Sequence, residues 1–321
     1  MKLKSKPSIL VSSVCGDIGC SAVRALRNVS NKIIGCDINS YSPVNHLLDK
    51  FFIAPPASDI GYFEFVIDTI KREEIDFFLP ISEPEIRAIN IIREKIELMG
   101  VKLLLNNSFI IETFLDKFKT VDFINSIGYR APRTSLLKNY DGCFGFPVVV
   151  KPISGYGSKK LWIVRDEKDF EYIRLKDDGF LIVQEYIGTH LEEYTTGVFS
   201  DGKKVSSITF RRKLGFGGLS VEAILADDPF ITELSLKVAQ SSNLIGSINI
   251  QSRRLINENI FVPFEINPRI SSTLMFRKKF GFDDTVWWMN ILSGKKYSYK
   301  RKFSSGRAIR FTSECYFDMK K

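Results

Sequence analysis

Histidine is almost absent from this chain: His46 and His190 are the only two in 321 residues. A mechanism needing a histidine base beside a second histidine ligand is thereby nearly excluded. Cysteine is scarce and poorly placed for pairing. Cys15, Cys20, Cys36, Cys143 and Cys315 are odd in number and contain no Cys-x-x-Cys spacing, which argues against a disulfide framework and a structural zinc site. Cys15 and Cys20 flank a turn and read as small packing residues rather than a redox pair. Long apolar runs are missing as well. Despite 26 phenylalanines, no stretch approaches the roughly 18 apolar residues of a membrane span. The segment from Met1 to Gly16 has lysines followed by too short an apolar run for a signal peptide. The expectation is a cytoplasmic globular protein with no membrane partner.

What is present fits that class. Hydrophobic residues make up 44% and charged residues 26% of the chain, enough to bury a core in two or three subdomains. The net charge of +9 comes from 46 basic and 37 acidic residues. It is either a generally basic surface or an attraction for an anion such as a nucleotide or an acid. The basic residues form no helix-length stripe, so nucleic acid is not an expected partner.

The first hundred residues alternate strand and helix. Apolar strand-like runs at Ser8–Ser13, Lys32–Cys36, Ile75–Ile81 and Val101–Leu105 are separated by amphipathic stretches. Those include Tyr62–Arg72 and Glu85–Met99. Such alternation predicts a parallel sheet covered by helices on both faces. Beyond Phe109 the rhythm changes to a helix over Ile110–Ile127, a Pro-bearing turn, and then strands at 148–151, 161–164 and 181–186. Antiparallel-looking strands follow at 194–199, 205–210, 247–255 and 260–267.

Gly16-x-x-Gly19 after the first strand, with Asp37 closing the second, resembles a dinucleotide-binding turn in which an acid holds a ribose. Ser13 stands where a full fingerprint has another glycine. Tyr172-x-x-x-Lys176 has the spacing of a reductase or epimerase proton-transfer pair. These features admit an NAD(P)-dependent enzyme. They equally admit a glycine turn that packs helix on sheet, and this reading leaves the second half of the chain unexplained.

Three segments in that half carry chemistry. In Phe264-Glu265-Ile266-Asn267-Pro268-Arg269, residues two apart share a strand face, so Glu265 and Asn267 project together while Phe264 and Ile266 are expected in the core. A hairpin centred on Glu258 sets Gln251 opposite Glu265 and Asn249 opposite Asn267. Cross-strand neighbours lie about 5 Å apart, and clustered oxygen donors suit magnesium sharing its shell with nucleotide phosphates. Alternating polar residues are also what a half-exposed hairpin shows. Arg269, just past the site, can clamp phosphate or carboxylate in a forked geometry. The second segment is the apolar strand ending at Lys151, followed by the loop Ser154-Gly155-Tyr156-Gly157-Ser158, whose backbone N–H groups suit phosphates. It is not a P-loop. The third is Leu181–Gly188 with Glu192-Glu193-Tyr194. There an apolar strand running into Glu185-Tyr186-Ile187 could wall a purine, and a later carboxylate could take ribose hydroxyls.

Taken in order, these segments resemble the ATP-grasp superfamily, in particular carboxylate-amine ligases similar to the carbamoyl-phosphate synthase large subunit. The resemblance implies an α/β, Rossmann-like parallel sheet over residues 1–111. A two-lobed α+β ATP-grasp domain would follow, with a small lobe over 112–187 and a large lobe carrying the metal site over 188–321. It also implies Lys117 and Lys151 on phosphate; Ser154, Gly155, Gly157 and Ser158 in a phosphate loop; Glu185, Tyr186 and Ile187 at adenine; and Glu193 at ribose. Gln251, Glu265 and Asn267 would be the metal ligands, with Arg269, Lys151 and Arg211 catalytic. For Arg211 and Arg212 a plain surface pair is the alternative. Where the synthase carries a histidine, this chain reads Gly217-Gly218-Leu219-Ser220, so Leu219 is expected at the nucleotide without that histidine's chemistry. ATP and magnesium (or manganese) are the implied cofactors, a small-molecule carboxylate and an amine the implied substrates, and a homodimer an implied assembly. The competing expectations are the NAD(P)-dependent enzyme and a catalytically silent nucleotide-binding protein.

Overall fold

The computed structural model describes residues 6–155, 160–311 and 313–317. The N-terminal alternation folds into a five-stranded, all-parallel sheet. Its strands are β1 (Ser8–Ser12), β2 (Lys32–Asp37), β3 (Lys50–Ile53), β4 (Phe77–Leu79) and β5 (Lys102–Leu103), ordered β3-β2-β1-β4-β5. The edge strand β3 has no sequence expectation above: its Lys-Phe-Phe-Ile is short and only half-buried. The strand order reverses between β1 and β4, and in such sheets the crevice beyond the strand ends at the reversal is where ligands sit.

Two helices expected as single pieces are broken. Glu83–Ile91 and Arg93–Leu98 are separated at Ile92, and the first starts at a capping box in which Ser82 and Glu85 bond each other's backbone N–H groups. The stretch over Ile110–Ile127 divides into Ser108–Phe114 and Lys117–Ser126. Asp116 ends the continuity because its carboxylate accepts from the N–H groups of Phe118 and Lys119, at 2.9 and 3.0 Å. An N-cap of this kind starts a new helix, and it sets Lys117 at the helix's first position.

A four-stranded antiparallel sheet follows: β6 (Thr134–Leu136), β7 (Val148–Pro152), β8 (Trp162–Val164) and β9 (Leu181–Glu185), ordered β6-β9-β7-β8. It has its own core of Leu137, Tyr140, Val148, Val150, Phe170, Ile173, Leu181 and Val183. The last sheet has six antiparallel strands. These are β10 (Glu193–Asp201), β11 (Val205–Leu214), β12 (Ser220–Ala226), β13 (Ile245–Leu255), β14 (Ile260–Asn267) and β15 (Arg307–Ile309), ordered β14-β13-β10-β11-β12-β15. Residues from both ends of the chain share one core, with Ile9, Val11 and Val23 in the same apolar cluster as Phe199, Phe210, Trp287 and Trp288. Such a shared core fixes the parallel sheet against the six-stranded one. Among the described residues, no helix is long and apolar enough to cross a membrane.

Candidate active site

A cleft of about 870 Å³ opens where the three sheets meet. Its walls are the turns after β1 and β4, the β7 and β9 ends of the four-stranded sheet, and the β10–β14 face of the six-stranded sheet. Lys117, Lys151, Gly155, Glu185, Tyr186, Ile187, Glu193, Leu219, Gln251, Glu265, Asn267 and Arg269 all line it. Residues distant in sequence thus face one space.

The hairpin register brings the oxygen donors together. Asn249 pairs with Asn267, Ile250 with Ile266, and Gln251 with Glu265. The register then slips, so that Ser252 pairs with Pro263 and Phe264 is the extra residue of a bulge. The bulge corrects one expectation. Ile266 is fully buried, but Phe264 is turned out of the core and lines the cleft, its ring 5.8 Å from the Lys151 ammonium and 5.8 Å from the Arg253 guanidinium carbon. Asn249 is the exception among the polar four: it is buried and accepts from Thr195 instead of facing the cleft.

Lys151 ends β7 with only 5% of its surface exposed. Burial, aided by the charges of Lys117 and Arg253 and opposed by Glu265 and Glu193, pulls its pKa from 10.5 down to about 8. Lys117 donates to the Gly155 carbonyl at 3.1 Å, and its own N–H bonds Ile153 at 3.0 Å. The new helix start is thereby tied to the loop that leaves Lys151. Burial raises the Glu265 carboxyl, but Lys117, Lys151, the Asn267 amide and Arg212 more than reverse this and hold it below the usual range. Gly157 and Ser158 lie outside the described residues. Ser154 is exposed and is not part of the cleft wall.

The arginine pair of β11 divides by strand alternation. Arg212 is buried and faces the cleft. Arg211 faces the other way, is half-exposed and pairs with Glu192 at 3.3 Å. Arg211, expected at the catalytic centre, is therefore not part of the cleft wall, whereas its neighbour Arg212 is. Arg212 bonds Glu193 through Nε and Nη2, at 3.2 and 2.8 Å, and the Gln251 amide oxygen at 2.7 Å. Arg253, a residue the motif reading passed over, takes the other Glu193 oxygen at 3.1 and 3.0 Å and the Ile187 carbonyl at 3.1 Å. Strand periodicity carried the signal for it, since Arg253 lies two residues beyond Gln251. Glu193 is thus held between two guanidinium forks, and Glu185 is held by Arg130 and the Arg133 backbone, both at 3.1 Å. These carboxylates brace the cleft wall as well as lining it.

The turn Pro268-Arg269 is anchored from behind. The buried Asn106 amide donates to the carbonyls of Pro268 and Ser247 at 2.9 and 2.8 Å. Arg269 bonds the Ile270 carbonyl and faces Glu83 of the parallel-sheet wall at 3.9 Å.

The residues expected for a nicotinamide cofactor are arranged otherwise. A Cβ on Gly19 would lie 2.1 Å from the Ser13 carbonyl oxygen, so this glycine serves helix-on-strand packing. Both Asp37 oxygens accept bonds, one from the Cys15 N–H in the turn after β1 at 2.8 Å and the other from Asn39 in its own turn at 2.9 Å. Tyr172 is 60% exposed, with the Lys176 ammonium 4.0 Å over its ring, and neither lines the cleft.

A divalent ion fits this donor set. Gln251, Glu265 and Asn267 supply a carboxylate and amide oxygens. Arg212 bonded to the Gln251 oxygen and the Asn267 amide donating to Glu265 at 3.0 Å already orient these groups. Among the described residues, no three His, Cys, Asp or Glu side chains gather closely enough to hold a metal by themselves. An ion here has to complete its shell with water and ligand oxygens, the habit of magnesium with phosphates.

Comparisons with known proteins bear on the family and the fold. The ATP-grasp domain family matches residues 114–273, and the PylC-like N-terminal domain family matches residues 12–104. The chain belongs to the ATP-grasp superfamily. It is 27% identical over 237 residues to the carbamoyl phosphate synthase large chain of Saccharolobus solfataricus, spanning 67% of this chain but 22% of that protein. It is 23% identical over 269 residues to the C-terminal section of the Aquifex aeolicus large chain, spanning 77% of this chain and 48% of that one. This chain thus spans less than half the length of those relatives. Among solved structures, N5-carboxyaminoimidazole synthetase from Staphylococcus aureus complexed with ADP superposes with a TM-score of 0.75 at 17% identity. That match covers 93% of this chain and 80% of that one. A biotin carboxylase–β-γ-ATP complex from Campylobacter jejuni gives 0.74 at 19% identity, covering 94% and 74%.

Proposed function

We propose that this chain is an ATP- and magnesium-dependent ligase that phosphorylates a substrate carboxylate and couples the resulting acyl phosphate to an amine, releasing ADP and phosphate. The observation that carries this reading is the convergence of Lys117, Lys151, Gln251, Glu265, Asn267 and Arg269 on one cleft. When bound, the metal would supply charge neutralisation to the nucleotide phosphates, held by Gln251, Glu265 and Asn267. Lys151 and Lys117 present ammonium groups from rigid element ends, so their charge needs no reorganisation as the γ-phosphoryl group transfers. Val149, Ile163, Tyr186, Ile187, Leu214 and Leu219 are among the apolar lining residues and are suited to a purine. Arg269, on the same cleft, is the forked donor this reading assigns to the carboxylate and its acyl phosphate, and Arg212, whose fork holds Glu193, lines the wall beside it.

The test is a panel of amino acids and sugar acids crossed with amines, read by phosphate release and by mass spectrometry of the product. Phosphate release dependent on a carboxylate, with an amide product when an amine is added, is the expected outcome. ADP formation indifferent to both additions across the panel would overturn the proposal.

A further inference from the structure

The parallel-sheet wall of the cleft carries four carboxylates: Asp17, Asp37, Glu83 and Glu85. Three of them are engaged by neighbours. Asp37 accepts from Cys15 in the turn after β1 and from Asn39 in its own turn. Glu85 collects the hydroxyls of Ser12, Ser13 and Ser82 at 2.8, 2.5 and 2.6 Å and the Ser82 N–H at 3.1 Å. Asp17 is paired with Arg310. Glu83 differs. It is 7% exposed, yet it accepts no hydrogen bond among the described residues, and its one ion-pair partner, Arg269, is 3.9 Å away. Its oxygens are not among the buried side-chain atoms that lack a partner, which on this wall include Asp17 Oδ2, so the Glu83 carboxylate opens to the cleft with its lone pairs uncommitted. The sequence places it there firmly, at the first position of the helix capped by Ser82, with Pro84 behind it.

Glu83 also faces the reacting end of the cleft. The charges that act on it are Arg269, Glu265, Lys117 and Arg87, three of which belong to the phosphate and metal side.

We propose, resting on the ligase reading above, that Glu83 receives the amine substrate: its carboxylate binds the nucleophilic nitrogen and takes the proton that nitrogen releases. In the coupling step the nitrogen lone pair forms a bond to the acyl carbon. The carbon–oxygen bond to the phosphoryl group breaks, phosphate leaves with that electron pair, and the nitrogen's proton passes to a Glu83 oxygen. Burial raises the Glu83 carboxyl above its usual range against the opposing pull of Arg269, Lys117 and Arg87, a direction that makes a carboxylate a better proton acceptor.

Hydroxylamine separates this role from a structural one, because it attacks acyl phosphates as a neutral nucleophile at pH 7 and needs no base. Wild type and Glu83→Gln are compared with the carboxylate identified in the panel, measuring hydroxamate from hydroxylamine and amide from the preferred amine. The MgADP-induced rise in unfolding temperature serves as the folding control. The expected result is an amide rate lowered about 100-fold relative to the hydroxamate rate, regained in part at higher pH as the amine deprotonates in solution, with Glu83→Asp intermediate. Equal losses in both rates, or no loss in either, would leave Glu83 as a mere partner of Arg269 and overturn the proposal. So would wild-type hydroxamate with no accepted amine. Absence of hydroxamate from wild-type protein would instead refute the ligase reading itself.

Discussion

Replacing Lys151 with methionine should make the ligand-free protein more stable while removing its grip on ATP. The side chain is 5% exposed, and its pKa falls from 10.5 to about 8 on folding. The ammonium is therefore worse off in the fold than in the unfolded chain. At about 1.4 kcal/mol per pH unit, a shift of this size costs about 3 kcal/mol at pH 7, where both states are protonated. Methionine keeps the volume and drops the charge, so it should recover a good part of that cost. In a chain of 321 residues, each kcal/mol raises the unfolding temperature by about 1.5 °C. The sign with pH follows from linkage. The folded pKa lies below the unfolded one, so the cost is complete below pH 8 and is relieved as pH rises from 8 towards 10.5. Thermal unfolding of both proteins at pH 7 and pH 10 reads this directly: the advantage of Lys151→Met should shrink at the higher pH. MgATP should raise the unfolding temperature of wild type and leave the variant unmoved. A variant less stable than wild type at pH 7, by a margin that does not change with pH, would refute the reasoning.

Other expectations can be checked alongside it. Glu265→Ala should abolish ATP-dependent phosphate release while leaving the folded circular dichroism spectrum intact; retained turnover would mean the metal site lies elsewhere. Arg212→Ala and Arg211→Ala should differ sharply in urea unfolding. The first leaves the buried Glu193 with one of its two forks and should cost about 3–5 kcal/mol, whereas the second loses an exposed pair worth about 0–1 kcal/mol. Gly19→Ala should destabilise by about 1–3 kcal/mol, because the added Cβ meets the Ser13 backbone at 2.1 Å; urea titration reads it.

Local pattern alone settled a good deal. Strand–helix alternation specified the parallel sheet, since a strand followed by a crossover helix has few other ways to bury its apolar face. Alternation along β13 and β14 paired Gln251 with Glu265, because a short turn leaves the register little freedom. The ordered lysines, acids and amides announced the ATP-grasp superfamily. Tertiary structure decided what periodicity cannot encode. The bulge at Phe264 moved an aromatic ring from core to cleft, and one step along β11 separated Arg212 from Arg211. The Asp116 cap broke a helix whose hydrophobic pattern runs on unbroken. Asp37, Glu85 and Glu83 are alike in sequence, each an acid beside a strand end. Only the positions of donors contributed by distant segments show that the first two are satisfied while Glu83, facing Arg269 across the cleft, is not.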